Sequence, residues 1–503
     1  MTTADNTGAA LTRTPVVAII GAGMSGLCMA AKLKHAGIHT FTIYEKADKL
    51  GGTWRDNTYP GLACDVPSRF YQFTFAPNPD WTHLFSPGEE IWNYFDDVAD
   101  RLGLRDHIRF NTRVVGARFA DSQWHITTDD GTETVADFLV SASGILHHPR
   151  YPNIDGLDAF EGAVFHSARW DHDVPLEGKR VAVIGTGSTG AQIVCGLSGV
   201  TSRTLLFQRT AQWIAPLPNP AYSRLTRSAH RKVPALEQFT YRTARIVFEF
   251  AAGALTQPGL RRRLVDKLCR ANLRTVRDPE LRRKLTPDYE PMCKRLVISS
   301  RFYRVIQRPD VDLVTEGIDH IEERGIVTRD GALHEVDVIA LATGFDAHAY
   351  MRPLNLVGEA GLTIDEAWAD GPSAYQTVAV PGFPNFFMIM GPHSPVGNYA
   401  LTAIAENQVK HIMGWIDSWR AGELANVQPT AEATARFNQS MRAAMPGTVW
   451  VTGCQSWYLG KDGLPEVWPW TPDRHRTMLA TVEMDDFCIH PPDALQSTTS
   501  AHG

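Results

Sequence analysis

Two glycine-rich turns in this 503-residue chain have the spacing that binds the pyrophosphate of a dinucleotide. In such a turn the first glycine permits a tight bend, the second lets the phosphates approach the backbone, and the third allows close packing of the helix on its strand. The candidate binding residues are Gly21, Gly23 and Gly26 in GAGMSG, and Gly185, Thr186, Gly187, Ser188, Thr189 and Gly190 in GTGSTG. The alternative is that these glycines serve packing alone.

The strand that follows each turn distinguishes the two nucleotides. After the first turn, Glu45 lies about 20 residues on, where its carboxylate can accept a hydrogen bond from a ribose hydroxyl. The strand after the second turn ends in Arg209 and Thr210 and has no acid. Because a carboxylate repels a 2′-phosphate and an arginine attracts one, this end favours NADP over NAD. A plain surface charge is the alternative for Arg209.

Two dinucleotide sites in one chain imply electron transfer between two cofactors, a flavin in the first and a nicotinamide in the second. The stretch GGTWRDNTYPGLACD, residues 51–65, contains a single cysteine, Cys64, which disfavours a thiol relay. Its aromatic side chains can wall a flavin ring, and the carboxylate of Asp65 can tune a neighbouring group. A solvated loop acid or an Asx turn is the alternative for Asp65.

The elements around these turns predict a duplicated α/β architecture. Apolar runs at 15–20 and 181–184 each precede a glycine turn, a helical segment and a further strand, which is the β-turn-α-β pattern. Residues 108–142 and 311–344 are predicted to be short strands that end in an apolar strand and a glycine. The fold class is therefore α/β, with two Rossmann-like dinucleotide-binding domains.

Residues 221–286 are helical in tendency and basic, with three arginines at 261–263. A solvated insertion is favoured there, and an anionic partner or membrane surface is the alternative.

Composition excludes several classes of protein. A net charge of -6 and a pI near 6.3 argue against a nucleic-acid binder. The sequence contains no run of about 18 apolar residues, so no membrane span is expected. The polar start, residues 1–14, does not resemble a signal peptide. The seven cysteines form no CxxC pair. We therefore expect a reducing, cytoplasmic setting and no metal site.

The stretch FEGAVFHSARWD, residues 160–171, places aromatic residues in what the sequence indicates to be a connection between the two folds. The ordinary pKa of His166 would suit acid–base catalysis. A histidine that fixes the connection through backbone hydrogen bonds is the favoured interpretation. We expect His166 and Trp170 to act as a structural hinge, and loss of His166 to disturb coupling more than NADPH affinity.

Four motifs together resemble the type I Baeyer–Villiger family of flavoprotein monooxygenases. Residues 51–65 match its GGxWxxxxYPGxxxD pattern, and residues 160–171 match its FxGxxxHxxxW[P/D] fingerprint. ALATGFD at 340–346 and KRL at 294–296 fit the family's ATG motif and its active-site arginine. The resemblance spans about residues 15–460 and is carried chiefly by the fingerprint. It departs after Ser456-Trp457-Tyr458, where this chain reads LGKDGLPEVW in place of a glycine–asparagine stretch.

The resemblance implies FAD and NADPH as cofactors, and a ketone and O2 as substrates. It further implies roles for individual residues. The residues that would line FAD are Ser25, Glu45, Thr53, Trp54, Asp65, Tyr71 and Val114, and those that would hold the 2′-phosphate are Arg209, Thr210 and Lys294. Arg295 would stand over the flavin with Asp65 as its partner. Trp457 would belong to a mobile loop near the substrate. A flavin peroxide that attacks a ketone must stay anionic, and a permanently charged guanidinium suits that need.

The domain boundaries expected from these patterns divide the flavin domain into two parts. They are 1–147 for its first part, 148–178 for the fingerprint linker, 179–340 for the NADP domain with a helical insertion at 221–290, 341–491 for the second flavin part, and 492–503 for a disordered tail. Two other functions remain open, a nitrogen- or sulfur-oxygenating flavin monooxygenase and an NADPH-oxidising or redox-sensing flavoprotein. A monomer or a small homo-oligomer is expected.

Overall fold

A computed structural model describes residues 13–397, 399–454, 456, 459–460 and 463–492. The predicted tail lies almost wholly outside these residues, as does Trp457. Within the described residues, no helix combines the length and the apolar character needed to cross a membrane.

The regular elements alternate between strands and helices along most of the chain. The strands are β1 Val17–Ile20, β2 Phe41–Tyr44, β3 Ile108–Arg109, β4 Val114–Ala120, β5 Gln123–Thr128, β6 Glu133–Ala136, β7 Phe138–Ser141, β8 Ala163–His166, β9 Arg180–Ile184, β10 Arg203–Phe207, β11 Ile214–Ala215, β12 Val297–Ile298, β13 Val311–Val314, β14 Ile318–Glu322, β15 Gly325–Thr328, β16 Leu333–Glu335, β17 Val338–Leu341, β18 Asn355–Val357, β19 Phe386–Met388, β20 Asn426–Pro429 and β21 Phe487–His490. The α-helices are α1 Met24–His35, α2 Thr53–Asp56, α3 Gly88–Arg101, α4 Ser188–Leu197, α5 Arg224–Lys232, α6 Pro234–Thr256, α7 Leu260–Leu273, α8 Pro279–Lys284, α9 Phe302–Val305, α10 Ile364–Ala367, α11 Leu401–Arg420, α12 Ala431–Ala444 and α13 Pro472–Leu479.

The first glycine turn belongs to a five-stranded parallel sheet with the strand order β19-β7-β1-β2-β3. The central strands β1 and β7 are buried almost throughout, as expected of a parallel sheet with both faces covered. Strand β19 comes from residues 386–388, far along the chain, and pairs with β7. The chain therefore returns to the first sheet after completing the second.

The second glycine turn belongs to a parallel sheet with the order β13-β10-β9-β17-β8. These two sheets confirm the predicted α/β class with two Rossmann-like folds. The fingerprint differs from the sequence expectation of a connection, because its residues 163–166 form β8, an edge strand of the second sheet. The strand was missed because glycine and charged residues interrupt the alternation that identifies a strand.

Smaller sheets lie beside the two parallel ones. Strands β4, β5 and β6 form an antiparallel meander, which β18 extends in parallel with β4. Strands β14, β15 and β16 form a second meander beside the parallel sheet of the second glycine turn. The short strands that the sequence predicted at 108–142 and 311–344 are divided between these meanders and the parallel sheets, since β3, β7, β13 and β17 belong to the latter.

The helical insertion, α5 to α8, is anchored to the first domain by a buried polar cluster. Arg69 is 1% exposed and donates to the Glu237 carboxylate, which is 5% exposed. The other Glu237 oxygen accepts from Gln72 Nε2 at 2.8 Å, and His230 Nδ1 lies 2.6 Å from the carboxylate. Since Arg69 and Gln72 precede Glu237 by 168 and 165 residues, this cluster fixes α5 and α6 on the first domain.

Candidate functional site

The first glycine turn brings backbone segments so close together that only residues without a side chain fit, and this leaves room for a phosphate. Gly21 has a φ of +101°, and a Cβ there would lie 2.8 Å from the Ala142 carbonyl oxygen. A Cβ on Gly26 would overlap the Gly21 carbonyl oxygen. Helix α1 begins after Gly23, with Ser25 buried in its first turn and no acid there. Its N-terminal amides therefore favour an anion.

The second turn repeats this geometry. Gly185 has a φ of +118°, and a Cβ on Gly190 would overlap the Gly185 carbonyl oxygen. At Gly187 the position of a Cβ has no other heavy atom within 4 Å, so this glycine borders open space at the start of α4. Thr186 Oγ1 donates to the Thr210 carbonyl oxygen at 2.7 Å, which joins the turn to the end of the next strand.

A pair of alanine substitutions separates nucleotide binding from folding in this turn. Gly187→Ala is expected to keep the fold and its bound flavin but to weaken NADPH binding by about tenfold or more, since the methyl group occupies the phosphate's approach. Gly190→Ala is expected to destabilise the domain by about 1–3 kcal/mol through overpacking. Flavin absorbance, NADPH titration and thermal unfolding distinguish them. Equal NADPH affinity in Gly187→Ala and the unaltered protein would contradict this assignment.

Glu45 lies at the first turn, as its sequence position predicts. Its Oε2 accepts from the Ala22 amide at 2.9 Å, and its Oε1 lies 3.0 Å from Arg55 Nη1. The Glu45 carbonyl oxygen also accepts from the Thr112 amide, which brings the start of β4 and the buried Val114 to the same end of the sheet. This end presents the groups expected around the ribose of a dinucleotide.

The aromatic pair Trp54 and Tyr71 lies next to this turn. Trp54 Nε1 donates to the Tyr71 hydroxyl at 3.1 Å, and the two rings meet edge to face. Burial raises the pKa of Tyr71, so its hydroxyl stays protonated. Thr53 begins α2 and is exposed. The two glycines before it, Gly51 and Gly52, belong to the GGxW motif, but the sequence analysis assigned them no role. Both have positive φ, and Gly52 approaches Gly23. Two consecutive glycines were the available signal.

Asp65 and Arg295 form a bidentate ion pair although 230 residues separate them in sequence. Arg295 Nε donates to Asp65 Oδ2 at 2.9 Å, and Nη2 donates to Oδ1 at 2.8 Å. The Arg295 side chain is 34% exposed and that of Asp65 is 21% exposed. A fork of two parallel hydrogen bonds fixes the guanidinium plane while part of the group remains accessible. The pair can present a fixed positive charge to a bound molecule.

Lys294 and Arg209 bring two positive charges to the end of the second turn. The pKa of Lys294 is lowered by burial and by the nearby Arg209 guanidinium. Lys294 Nζ also lies 4.9 Å from the centre of the Tyr289 ring. Two mutually repelling cations with Thr210 beside them form a site that a phosphate dianion would stabilise. The donor set therefore fits the 2′-phosphate of NADP.

Replacing one of these cations is expected to change the choice of nicotinamide cofactor. Arg209→Ala should lower kcat/KM for NADPH by roughly 10- to 100-fold and leave the value for NADH nearly unchanged, because a charged hydrogen bond contributes about 1.5–3 kcal/mol. Arg203→Ala is the matched control, since Arg203 lies at the other end of β10 and pairs with Asp312 on the surface. Equal losses with both cofactors would contradict the phosphate role.

Tyr59 and Gly61, within the YPG of residues 59–61, connect the two folds. The Tyr59 hydroxyl donates to Gln192 Oε1 at 2.9 Å, and Gln192 Nε2 donates to the Ala63 carbonyl oxygen at 2.9 Å. Gly61 has a φ of +83°, and a Cβ there would overlap the Gln192 carbonyl oxygen. This motif thus holds the loop that carries Asp65 against α4 of the nicotinamide fold. Gln192 had no signal in the sequence beyond its place on the predicted helix.

His166 is fully buried, and backbone groups bond both of its ring nitrogens. Nδ1 accepts from the Ala168 amide at 3.1 Å, so the proton lies on Nε2, which donates to the Gly344 carbonyl oxygen at 3.0 Å. Burial lowers the pKa of His166 and favours this neutral form. Trp170 packs edge to face on Phe165 in the core of the second fold. These contacts join the fingerprint to the ATG segment at 342–344, and the hinge role stays a prediction.

A disulfide joins Cys293 to Cys454, with the Cα atoms 6.0 Å apart and a sequence separation of 161. The sequence expectation of a reducing setting did not include this pair, whose wide separation gives no spacing signal. The bond connects the residue before Lys294 to the segment that leads toward Trp457. The other described cysteines, including Cys64, are free, and burial raises the pKa of Cys64.

Comparison with known proteins places this geometry in a family. The family model for flavin-binding monooxygenase-like proteins matches residues 14–352. The chain belongs to this family. Among its relatives, an uncharacterized monooxygenase of Mycobacterium tuberculosis is 61% identical, covering 97% of this chain and 98% of the relative. A Baeyer–Villiger monooxygenase of Streptomyces coelicolor is 39% identical over 95% of this chain and 93% of its own.

Solved structures in the same family have the same architecture. Cyclohexanone monooxygenase from Rhodococcus sp. Phi1 bound to NADP+ matches with a TM-score of 0.85 and 29% identity, covering 96% of this chain and all of the other. The family resemblance inferred from the four motifs is thereby confirmed, as are FAD and NADP as the cofactors of this monooxygenase family.

Proposed function

We propose that this chain is a Baeyer–Villiger monooxygenase that uses NADPH and O2 to insert one oxygen atom between a ketone carbonyl and a neighbouring carbon. The product is an ester or a lactone. The other oxygen atom leaves as water, with NADPH and one proton supplying the two electrons and the hydrogens. The observation that carries this proposal is the bidentate pair of Arg295 with Asp65, placed between the two dinucleotide folds.

The described residues fit both cofactors. Both glycine turns lie at the start of helices without acids in their first turns, which suits two pyrophosphates. Gly187 borders open space, and the position of a Cβ on Gly23 lies 3.6 Å from the Gly52 Cα. Glu45 suits the ribose of FAD, and Arg209 with Lys294 suits the phosphate of NADPH. When bound, FAD supplies the redox chemistry that transfers electrons from NADPH to O2.

Arg295 is assigned the role of stabilising negative charge during the reaction. Its guanidinium stays charged at every working pH, so it can stabilise negative charge that develops on the ketone oxygen. Asp65 is a positioning residue, since it holds the guanidinium plane through two hydrogen bonds. Lys294, the preceding residue, would bind NADPH, so the same short segment would position both the cofactor and the guanidinium.

The closest alternative is oxygenation of nitrogen or sulfur, which uses a protonated, electrophilic oxidant and does not need a fixed arginine. The third possibility is NADPH oxidation without an organic substrate. The Asp65–Arg295 pair supports attack on a carbonyl over both, because a fixed, permanent cation can stabilise the oxyanion that such an attack develops and neither alternative needs one.

The test is NADPH consumption by the flavin-loaded protein with a panel of ketones, sulfides and amines, together with hydrogen peroxide measurement and product mass. The proposal expects ketones to stimulate NADPH consumption, with esters or lactones as products and little peroxide. Equal consumption with and without any substrate, yielding peroxide, would instead support the oxidase function. Stimulation by sulfides or amines alone would support heteroatom oxygenation.

A cytoplasmic setting and a monomeric or small homo-oligomeric state remain part of the proposal. The need of the proposed reaction for NADPH supports the cytoplasmic setting. The Cys293–Cys454 disulfide is not what a reducing compartment favours. Thiol counting on protein alkylated during lysis, and light scattering of the purified protein, test the two statements separately.

A further inference from the structure

The helical insertion carries a concentration of positive charge that the proposed chemistry does not use. Residues 221–286 contain 16 Lys and Arg and 5 Asp and Glu, a net charge of +11, within a chain whose net charge is -6. The two cations assigned to NADPH, Arg209 and Lys294, both lie outside this segment. The positive charge of the insertion therefore needs a separate explanation.

Helix α6 has two apolar faces. Its inner face, Tyr241, Ala244 and Phe248, packs on the core of the first domain, where both aromatic rings contact Phe70. Its outer face carries Phe239, Ile246 and Phe250, which are 66%, 62% and 54% exposed. A helix that only faces water is polar on its outer side. The outer face of α6 is therefore built to contact something other than water.

Helix α7 continues the same apolar surface. Leu260, Leu264 and Leu268 recur every four residues and are 76%, 63% and 44% exposed, so they form one stripe along the helix. The Arg261 guanidinium lies 3.9 Å from the centre of the Phe250 ring, and its Nη1 donates to the Phe250 carbonyl oxygen at 3.4 Å. Arg261 thus joins the stripes of α6 and α7. We call the exposed apolar residues of the two helices, with the adjacent Arg261, Arg263 and Lys267, the insertion surface.

We propose that the insertion surface binds the face of an anionic lipid bilayer. Exposed leucine and phenylalanine flanked by arginine and lysine are the composition of helices that lie in a membrane interface, with the apolar side chains among the lipid chains and the cations at the head groups. Because no described helix could cross a membrane, the attachment is peripheral. This inference does not depend on the substrate of the enzyme.

A second copy of the chain fits the same surface less well. Pairing two insertion surfaces would bring together two segments that each have a net charge of +11, and like charges at close range oppose association. An anionic lipid surface instead complements that charge. Charge complementarity therefore selects lipid over a second copy.

The first experiment is flotation of the flavin-loaded full chain with vesicles. Vesicles of phosphatidylcholine with phosphatidylglycerol are expected to carry the protein to the top of the gradient, and vesicles of phosphatidylcholine alone to carry much less. Added salt should release the protein, since attraction to the head groups is screened over about 10 Å at 0.1 M ionic strength. Absence of binding to the anionic vesicles at low salt would overturn the proposal.

Matched variants locate the contact. The double variant Phe239→Ser with Leu264→Ser should bind anionic vesicles at least about tenfold more weakly, because two large side chains no longer enter the lipid. Arg263→Gln with Lys267→Gln should weaken binding by a similar factor and reduce its salt dependence. The control is Val135→Ser, an exposed apolar residue of the first domain, 43% exposed, which should bind unchanged.

Light scattering completes the test. If the unaltered protein forms a dimer that Phe239→Ser with Leu264→Ser dissociates, the insertion surface is an interface between copies and the lipid proposal is wrong. The same conclusion follows if Val135→Ser weakens vesicle binding as much as the double variant. All variants should retain the NADPH oxidation rate of the unaltered protein in the absence of vesicles, since none lies near the two glycine turns.

Discussion

Arg295→Ala is expected to lower kcat for ketone oxygenation by roughly 100- to 1000-fold, the usual effect of removing one preorganised group that stabilises a developing oxyanion. NADPH binding should change little, because the phosphate contacts are assigned to Arg209 and Lys294. Electrons that still reach the flavin should leave as hydrogen peroxide. Measuring product, NADPH and peroxide in the same reaction separates loss of oxygenation from loss of reduction.

Two further variants make the Arg295 prediction specific. Arg295→Lys keeps the charge but loses the two-pronged contact with Asp65, so it should retain only part of the activity. Asp65→Asn keeps the shape of the partner but removes its charge, and it should lower kcat more than it raises KM for the ketone. If Arg295→Ala converted ketones at the rate of the unaltered enzyme, the proposed electrostatic role would be wrong.

Glu237→Ala is expected to destabilise the protein by about 3–5 kcal/mol, since it leaves the buried Arg69 guanidinium without its carboxylate partner. Gln72 and His230 would lose a hydrogen-bond partner at the same time. The shift of the urea unfolding midpoint measures the effect. We expect the insertion to be the first part of the structure to detach from the first domain.

The matched control for Glu237 is Asp266→Ala, because Asp266 forms a partly exposed ion pair with Arg270 on the same insertion. Its loss should change stability by less than about 1 kcal/mol. Replacing Arg69 and Glu237 together with apolar residues of similar volume should recover much of the stability. Equal effects of Glu237→Ala and Asp266→Ala would contradict the account of the buried cluster.

The parts of the fold that the sequence predicted depend on short-range patterns. The glycines at 21 and 185 identify turns because their backbone angles are open only to glycine, and the apolar runs before them identify buried parallel strands. Glu45 and Arg209 follow from their place at the ends of the next strands. For these residues, local sequence determines local geometry.

The features that the sequence did not predict depend on contacts between distant segments. Nothing near Glu237 indicates that Arg69 would bury its charge against it, and nothing near Cys293 indicates Cys454. The contact of Asp65 with Arg295 came from the family resemblance and not from spacing. Strand β8 was missed because its neighbours in the second sheet, not its own pattern, make it a strand. Long-range pairing is decided by packing, which a single sequence does not display.

The most direct measurement is the mass of the product formed under isotopically labelled oxygen, 18O2. The flavin-loaded protein is incubated with NADPH and the ketone that stimulates NADPH consumption most strongly. A Baeyer–Villiger monooxygenase should yield an ester or a lactone that contains one labelled oxygen atom in its ring or chain, in an amount equal to the NADPH consumed. An unchanged ketone with a matching amount of labelled hydrogen peroxide would contradict it.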